Sequence, residues 1–155
     1  MHCGVTMQLG AITDEGGTTF RPWTTAHDRC EVRLVDTGAS VRMQEVGGRV
    51  FEARVPGVGH GARYTFVLDG SEVNDPYARF LPDGIAGPAM VWRPRHEWRH
   101  PHVLRPLREH VIYELHVGTF TREGTYAAAR QRLDELVEVG VTAIELLPLA
   151  EVGGK

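Results

Sequence analysis

Two groups of side chains in this sequence have the chemistry of metal ligands. The first combines His2 and Cys3 at the N-terminus with His27 and Cys30. Thiolate and imidazole groups are the usual ligands of Zn²⁺, but this spacing fits no standard zinc pattern. The sequence therefore predicts no metal site, and Cys30 is expected to be a small, buried apolar side chain in a strand.

The second group is a cluster of three histidines, His96, His100 and His102, around Trp98. Three prolines interrupt regular structure in the same stretch, and no cysteine or carboxylate stands at ligand spacing. Imidazoles on such a segment are not held in one geometry, so metal binding is disfavoured. We interpret residues 94–109 as a partly packed linker.

The composition is typical of an ordinary globular protein, because 42% of the 155 residues are hydrophobic and 24% are charged. A net charge of −3 gives no reason to bind nucleic acid or an anionic membrane. No apolar run approaches the roughly 20 residues that cross a bilayer, and the N-terminus does not resemble a signal peptide. With only two cysteines, the sequence predicts a cytoplasmic protein with reduced thiols.

Period-two patterning, typical of half-buried strands, dominates the sequence before residue 94. Hydrophobic and polar residues alternate around Val32, Ala53 and Phe66, and the polar members, such as Thr65, are expected to face water. Glycine pairs and Asp69-Gly70 separate these stretches and favour tight hairpin turns. The pattern predicts an all-β, immunoglobulin-like sandwich over residues 8–93.

The pattern changes after the linker. Residues 111–120 are rich in β-branched and aromatic residues and predict a buried strand, and residues 141–147 predict a second one. Between them, residues 126–139 have helical periodicity, with Thr125 as the N-cap and Gly140 as the stop. A strand, a helix and a strand predict a β-α-β unit with parallel strands. The predicted apolar face of the helix comprises Ala129, Leu133, Leu136 and Val137.

A single β-α-β unit cannot cover both faces of its strand pair. Residues 110–155 are therefore expected to be the start of a larger α/β domain. In this chain, the strand edges at residues 111–120 and 141–147 would be exposed, and we expect them to cause self-association.

Several segments resemble a known enzyme family. The run from Ile112 to Thr121, which contains Tyr-Glu-Leu-His-Val-Gly-Thr-Phe, resembles the first barrel strand of the α-amylase superfamily, glycoside hydrolase family 13. Residues 133–136 and 140–148 resemble the following helix and the second barrel strand. Residues 75–91 resemble the segment that joins the N-terminal sandwich to the barrel, and residues 64–70 the last hairpin of a family 48 carbohydrate-binding-like module. The residue sequence of the first strand resembles the maltooligosyltrehalose trehalohydrolase branch of this family.

The resemblance implies a retaining α-glycosidase. Residues 110–155 would begin a TIM (β/α)₈ barrel, and the whole enzyme would hydrolyse the α-1,4 bond next to the trehalose end of maltooligosyl trehalose. One carboxylate would act as nucleophile and a second as acid and base, so no metal or organic cofactor is required. In the family, the catalytic acids lie at the ends of the fourth, fifth and seventh barrel strands. The resemblance therefore places no catalytic residue in this chain, which is expected to be inactive alone.

The resemblance also suggests substrate-binding residues. His116 and Phe120 follow the first barrel strand and would lie near the mouth of the active site. Phe120 could stack on a sugar ring, and core packing explains it equally well. Glu114 and Glu145 lie within strands, before the edge where barrel active sites are built, and are interpreted as structural acids.

Three tryptophans are further candidates for contact with a sugar. Trp23 is expected to be a core residue, whereas Trp92 and Trp98 flank the linker and are expected to pack between domains. Other functions remain open, namely a glycogen branching or debranching enzyme, a stand-alone α-glucan-binding module, or a purely structural domain. The motif Asp75-Pro76-Tyr77 alone would suit a branching enzyme, but the residue sequence of the first barrel strand favours the trehalohydrolase branch.

Overall fold

The computed structural model describes residues 7–99 and 104–149. They fall into two compact units, one up to His96 and the other from Glu97 onward. The strands of the first unit, within its described residues, are β1 (Gly10–Thr13), β2 (Gly17–Arg21), β3 (Cys30–Leu34), β4 (Ser40–Arg42), β5 (Gln44–Gly47), β6 (Val50–Pro56), β7 (Arg63–Leu68), β8 (Ser71–Val73) and β9 (Ala89–Met90).

These strands form two antiparallel sheets. One sheet has the order β1-β2-β6-β5, and the other has the order β4-β3-β7-β8, with β9 also paired to β7. The ring of Phe20 on β2 lies 4.9 Å from that of Tyr64 on β7 in an edge-to-face contact, so the two sheets face each other across one core. The predicted antiparallel β-sandwich is confirmed.

The alternation in the sequence places the core correctly, with one exception. Val32 and Phe66 are at most 1% exposed, as their positions predict. Thr65, expected to face water, is only 3% exposed. It lies in the middle of its sheet, where its hydroxyl donates to Glu72 at 2.7 Å and the Arg33–Glu72 ion pair covers it. Long charged side chains on neighbouring strands can bury a residue on the outer face of a sheet.

The turn between β7 and β8 has the predicted hairpin geometry. Leu68 pairs with Ser71, which leaves only Asp69 and Gly70 in the loop. Their φ angles are 48° and 91°, the left-handed values that a two-residue hairpin turn requires.

A buried hydrogen bond connects β7 to the segment after β8. The hydroxyl of Tyr64 donates to Oδ2 of Asp75 at 2.6 Å, and Oδ1 of Asp75 accepts from the backbone N–H of Tyr77 at 2.8 Å. Asp75 is 2% exposed, and burial raises the pKa of its carboxyl group above the ordinary value. Burial likewise raises the pKa of the Tyr64 phenol, so the phenol stays neutral and acts as the donor.

The second unit contains the predicted β-α-β pattern. Its elements are β10 (Ile112–His116), α1 (Val117–Phe120), α2 (Tyr126–Gln131), α3 (Leu133–Glu138) and β11 (Ala143–Leu147), preceded by a 3₁₀ turn at Leu107–Glu109. The strands β10 and β11 are parallel, as predicted.

Three details of this unit differ from the prediction. The first strand ends at His116, because residues 117–120 form the short helix α1. The predicted long helix divides at Arg132, whose backbone N–H bonds to the carbonyl of Ala129, only three residues back. Val137 is 67% exposed, so the buried face of the helices is narrower than predicted.

Both helix ends have the predicted caps. The hydroxyl of Thr125 accepts from the N–H of Ala128 at 3.2 Å. Gly140, at φ 89°, donates to the carbonyl of Val137, and Val141 donates to that of Leu136. This pair of bonds is the Schellman pattern that ends many helices.

Replacing Thr125 with alanine is expected to destabilise α2 by about 1 kcal/mol, because the N–H of Ala128 loses its acceptor. Amide hydrogen exchange in α2 should become about fivefold faster. Thr125→Ser is the matched control, since it retains the hydroxyl and should exchange like the native chain. Unchanged exchange in Thr125→Ala would show that the cap contributes nothing.

Candidate functional site

The candidate site lies where β10 and β11 end. His116 and Leu147 are the last residues of these strands, and they lie opposite each other in the register. Because the strands are parallel, their carboxyl ends meet at one edge. Loops at this edge form the active site in (β/α)₈ barrels.

The structure places His116 and Phe120 at this edge. His116 is exposed, and its ring lies against Gly118, where a Cβ atom would come within 3.1 Å of the His116 Cε1 atom. Thr119 donates to the His116 carbonyl at 3.3 Å. Phe120 is half-buried and its ring contacts Tyr113 edge-to-face, with 6.3 Å between ring centroids. Phe120 therefore packs within the unit, and its contact with a sugar stays a prediction.

Glu114 and Glu145 lie directly opposite each other, and both are exposed. Alternate residues of a strand share a face, so Glu114 lies on the same face as His116. Leu115, on the other face, is 5% exposed. Each glutamate precedes the end of its strand by two residues. They belong to the strands and not to the loops after them, and their structural role stays a prediction.

A polar cavity of about 510 Å³ lies beside these loops and was not predicted from the sequence. The loop before it is tightly built: Gly124 donates to the Thr121 hydroxyl at 3.2 Å, and a Cβ atom on Gly124 would come within 3.0 Å of the Gly118 carbonyl oxygen. The only sequence signal is the concentration of polar residues around the N-cap. The polar residues that line the cavity are Thr121, Arg122, Glu123, Thr125, Gln131 and Arg132.

Two of the candidate metal ligands, His27 and Cys30, contact other side chains. Nδ1 of His27 lies 3.0 Å from Asp69 Oδ2. Cys30 is 1% exposed, with its Sγ 3.4 Å from Met43 Sδ, and burial raises the pKa of its thiol to about 12. The prediction that Cys30 is a buried apolar residue in a strand is confirmed. His2, Cys3, His100 and His102 lie outside the described residues, and within residues 7–99 and 104–149 no three His, Cys, Asp or Glu side chains could together hold a metal ion.

The three tryptophans differ in environment. Trp23 is 49% exposed, so its predicted core position is wrong. Every second residue at the end of β2 and just after it is buried, namely Phe20, Pro22 and Thr24. Trp23 lies between two of these residues and therefore faces outward. Trp92 is 40% exposed and contacts two other rings, whereas Trp98 is 86% exposed.

In the part of the chain that the structure describes, no helix is long and apolar enough to cross a membrane. Residues 8–78 match the model of carbohydrate-binding module 48, the isoamylase N-terminal domain. The chain is 46% identical to malto-oligosyltrehalose trehalohydrolase of Deinococcus radiodurans over 157 aligned residues, which cover 96% of the chain and 25% of that protein. It is 34% identical to the 1,4-alpha-glucan branching enzyme of Leifsonia xyli, with 92% of the chain and 21% of that enzyme covered.

Solved structures show the same relationship. A putative alpha amylase from Salmonella typhimurium matches with a TM-score of 0.81 and 39% identity, over 94% of this chain and 25% of that one. Type I pullulanase from Bacillus subtilis, solved with maltose, matches with a TM-score of 0.75 and 25% identity, over 96% of this chain and 25% of that one. The chain thus spans about a quarter of the length of these relatives. It is a homologue of the N-terminal part of the malto-oligosyltrehalose trehalohydrolases, and its residues 8–78 form a carbohydrate-binding module 48 domain.

Proposed function

We propose that this chain is the N-terminal part of a retaining α-glycosidase that releases trehalose from maltooligosyl trehalose. The reaction would hydrolyse the α-1,4 bond next to the trehalose end. The observation that carries the proposal is the 46% identity to the Deinococcus radiodurans trehalohydrolase along nearly the whole chain. The branching enzyme is the alternative, and its lower identity of 34% disfavours it.

The proposed domain organisation follows the changes in pattern along the chain. The sandwich comprises residues 8–93, the linker residues 94–109, and the start of a (β/α)₈ barrel residues 110–155. The parallel pairing of β10 with β11 supports the barrel. So do the apolar side chains that the strands expose, Ile112 at 54% and Leu147 at 42%, which further barrel strands would cover.

His116 and Phe120 are proposed to contact the sugar beside the scissile bond. The exposed imidazole of His116 can exchange hydrogen bonds with hydroxyl groups, and the half-exposed ring of Phe120 offers an apolar face. The nucleophile and the acid, about 5–5.5 Å apart in retaining enzymes, would come from other parts of the whole protein. We also propose a reducing, cytoplasmic location, because the Cys30 thiol is free.

The proposal can be tested by exchanging segments. This chain replaces the homologous quarter of the Deinococcus radiodurans trehalohydrolase, and trehalose release from maltooligosyl trehalose is measured. We expect turnover by the chimera and none by the 155-residue chain alone. The corresponding segment of the Leifsonia xyli branching enzyme, inserted in the same way, is the matched control. Size-exclusion chromatography of the chain alone tests the predicted self-association.

Three further variants of the chimera test the assignment of roles. Glu114→Gln and Glu145→Gln are expected to retain turnover, since neither carboxylate is proposed to act in catalysis. His116→Ala is expected to lower kcat/KM about tenfold through lost substrate binding. Turnover by the chain alone, or loss of more than about a thousandfold in kcat for either glutamine variant, would place catalytic groups here and contradict the proposal.

A further inference from the structure

We propose that Gly118 is a positioning residue that sets the direction in which the His116 imidazole points. His116 is the last residue of β10, and Gly118 follows it by two residues in α1. A Cβ atom on Gly118 would lie 3.1 Å from Cε1 and 3.4 Å from Nδ1 of the His116 ring. Unbonded carbon atoms pack best at about 3.5–4.0 Å, so the ring lies where any side chain at position 118 would crowd it. This role of Gly118 rests on the proposed contact between His116 and the sugar.

The approach of Gly118 restricts a ring whose backbone is already fixed. The register places His116 opposite Leu147, and the His116 carbonyl accepts from the Thr119 hydroxyl at 3.3 Å. The remaining freedom lies in the two side-chain torsions of the imidazole. Within residues 7–99 and 104–149, neither nitrogen of this ring has a hydrogen-bond partner. Gly118 therefore limits the torsions by contact alone, and both nitrogens stay available to sugar hydroxyls.

The backbone of Gly118 is itself held by the turn that follows α1. The N–H of Gly124 donates to the carbonyl and to the hydroxyl of Thr121, both at 3.2 Å. Gly124 has φ 62°, and a Cβ atom there would lie 3.0 Å from the Gly118 carbonyl oxygen and 3.4 Å from its Cα. The turn thus packs directly on the Gly118 backbone. A side chain added at position 118 would therefore be accommodated by rotation of the His116 ring, the end of a flexible side chain.

A Gly118→Ala variant should separate the orientation of the ring from the folding of the chain. Gly118 lies in a helix and does not adopt a positive φ angle, so its backbone conformation suits alanine. The added methyl group would turn the imidazole away from its native direction. Hydrogen bonds weaken steeply as their angle departs from linearity, so a rotated imidazole would bind a sugar hydroxyl less well.

The first test uses NMR on the 155-residue chain. We expect a nuclear Overhauser effect between His116 Hε1 and Gly118 Hα in the native chain, and a shifted Hε1 resonance in Gly118→Ala. Gly59→Ala is the matched control, since Gly59 has no positive φ and a Cβ atom there would meet no heavy atom within 4 Å. It should leave the His116 resonances in place. Circular dichroism checks that each variant is folded.

The second test uses the chimera. Gly118→Ala is expected to raise KM for maltooligosyl trehalose about tenfold with little change in kcat, as removal of the His116 ring would. When His116→Ala is already present, Gly118→Ala should cause no further loss, because the two residues act through one contact. Gly59→Ala should stay within about twofold of the native chimera.

Three results would overturn the proposal. One is a native chain without the Overhauser effect, and another is a Gly118→Ala chain whose His116 resonances do not move. The third is a loss in the chimera that persists in full when His116 is already alanine, which would show a purely structural role. The NMR test needs no turnover. A chimera without activity would therefore contradict the proposed function, while the NMR test would still decide whether Gly118 orients the ring.

Discussion

A Gly17→Ala variant is expected to lose about 2–6 kcal/mol of folding stability, the largest effect of any substitution considered for this chain. Gly17 begins β2 with φ 151°, a conformation that L side chains rarely adopt. A Cβ atom there would overlap the Val55 carbonyl oxygen and lie 2.9 Å from the Cα of Pro56. Both are backbone atoms of β6, so no side-chain rotation can relieve the clash. Urea denaturation of the native and variant chains measures the loss.

Gly38→Ala separates the cost of backbone strain from the cost of the steric clash. Gly38 has φ 71°, but a Cβ atom there would meet no heavy atom within 4 Å. Its replacement should cost only the backbone strain, about 1–2 kcal/mol. Equal losses at the two glycines would show that the approach of β2 to β6 is not close enough to matter.

An Asp75→Ala variant is expected to lose about 2–4 kcal/mol. The substitution leaves two donors without acceptors, the buried Tyr64 hydroxyl and the partly buried Tyr77 N–H. Asp75→Asn is the matched control, because its amide can accept from the Tyr77 N–H and donate to the Tyr64 oxygen. The control should lose less than about 1 kcal/mol at neutral pH. Urea denaturation distinguishes the two variants, and equal losses would mean that the hydrogen bonds do not carry the effect.

The same carboxyl group should make stability depend on pH. Burial raises the pKa of Asp75 in the folded chain, so the folded state binds this proton more tightly than the unfolded state. The stability that Asp75 contributes through this proton is complete below about pH 4, the pKa of the carboxyl group in the unfolded chain. This contribution is lost as the pH rises through the higher pKa of the folded chain. Asp75→Asn lacks this titration. Its stability relative to the native chain should therefore rise from about pH 4 to pH 7. A constant difference across this range would contradict the buried carboxylate.

The features that the sequence predicted well are those set by neighbouring residues. The alternation around Val32 predicts which side of β3 is buried, because successive side chains point to opposite faces. Asp69-Gly70 predicts its turn, because both residues tolerate positive φ. Thr125 and Gly140 mark the ends of the helical region, because caps satisfy backbone groups within one turn. Each depends on a short stretch of chain.

Two incorrect predictions of burial, at Thr65 and Trp23, have different causes. Thr65 is buried because Arg33 and Glu72, on other strands, lie over it. Trp23 was expected in the core on residue type alone, but its position in the alternation after β2 turns it outward.

By itself, the sequence determined the β-sandwich, the β-α-β pattern and the family resemblance. Hydrophobic periodicity, turn residues and sequence motifs are all local properties of the chain. Only the tertiary structure decided which distant side chains meet. It paired Tyr64 with Asp75 and brought His60, Phe80 and Trp92 together from three separate segments. Such contacts depend on how strands stack and pair across the fold, which no single stretch of sequence specifies.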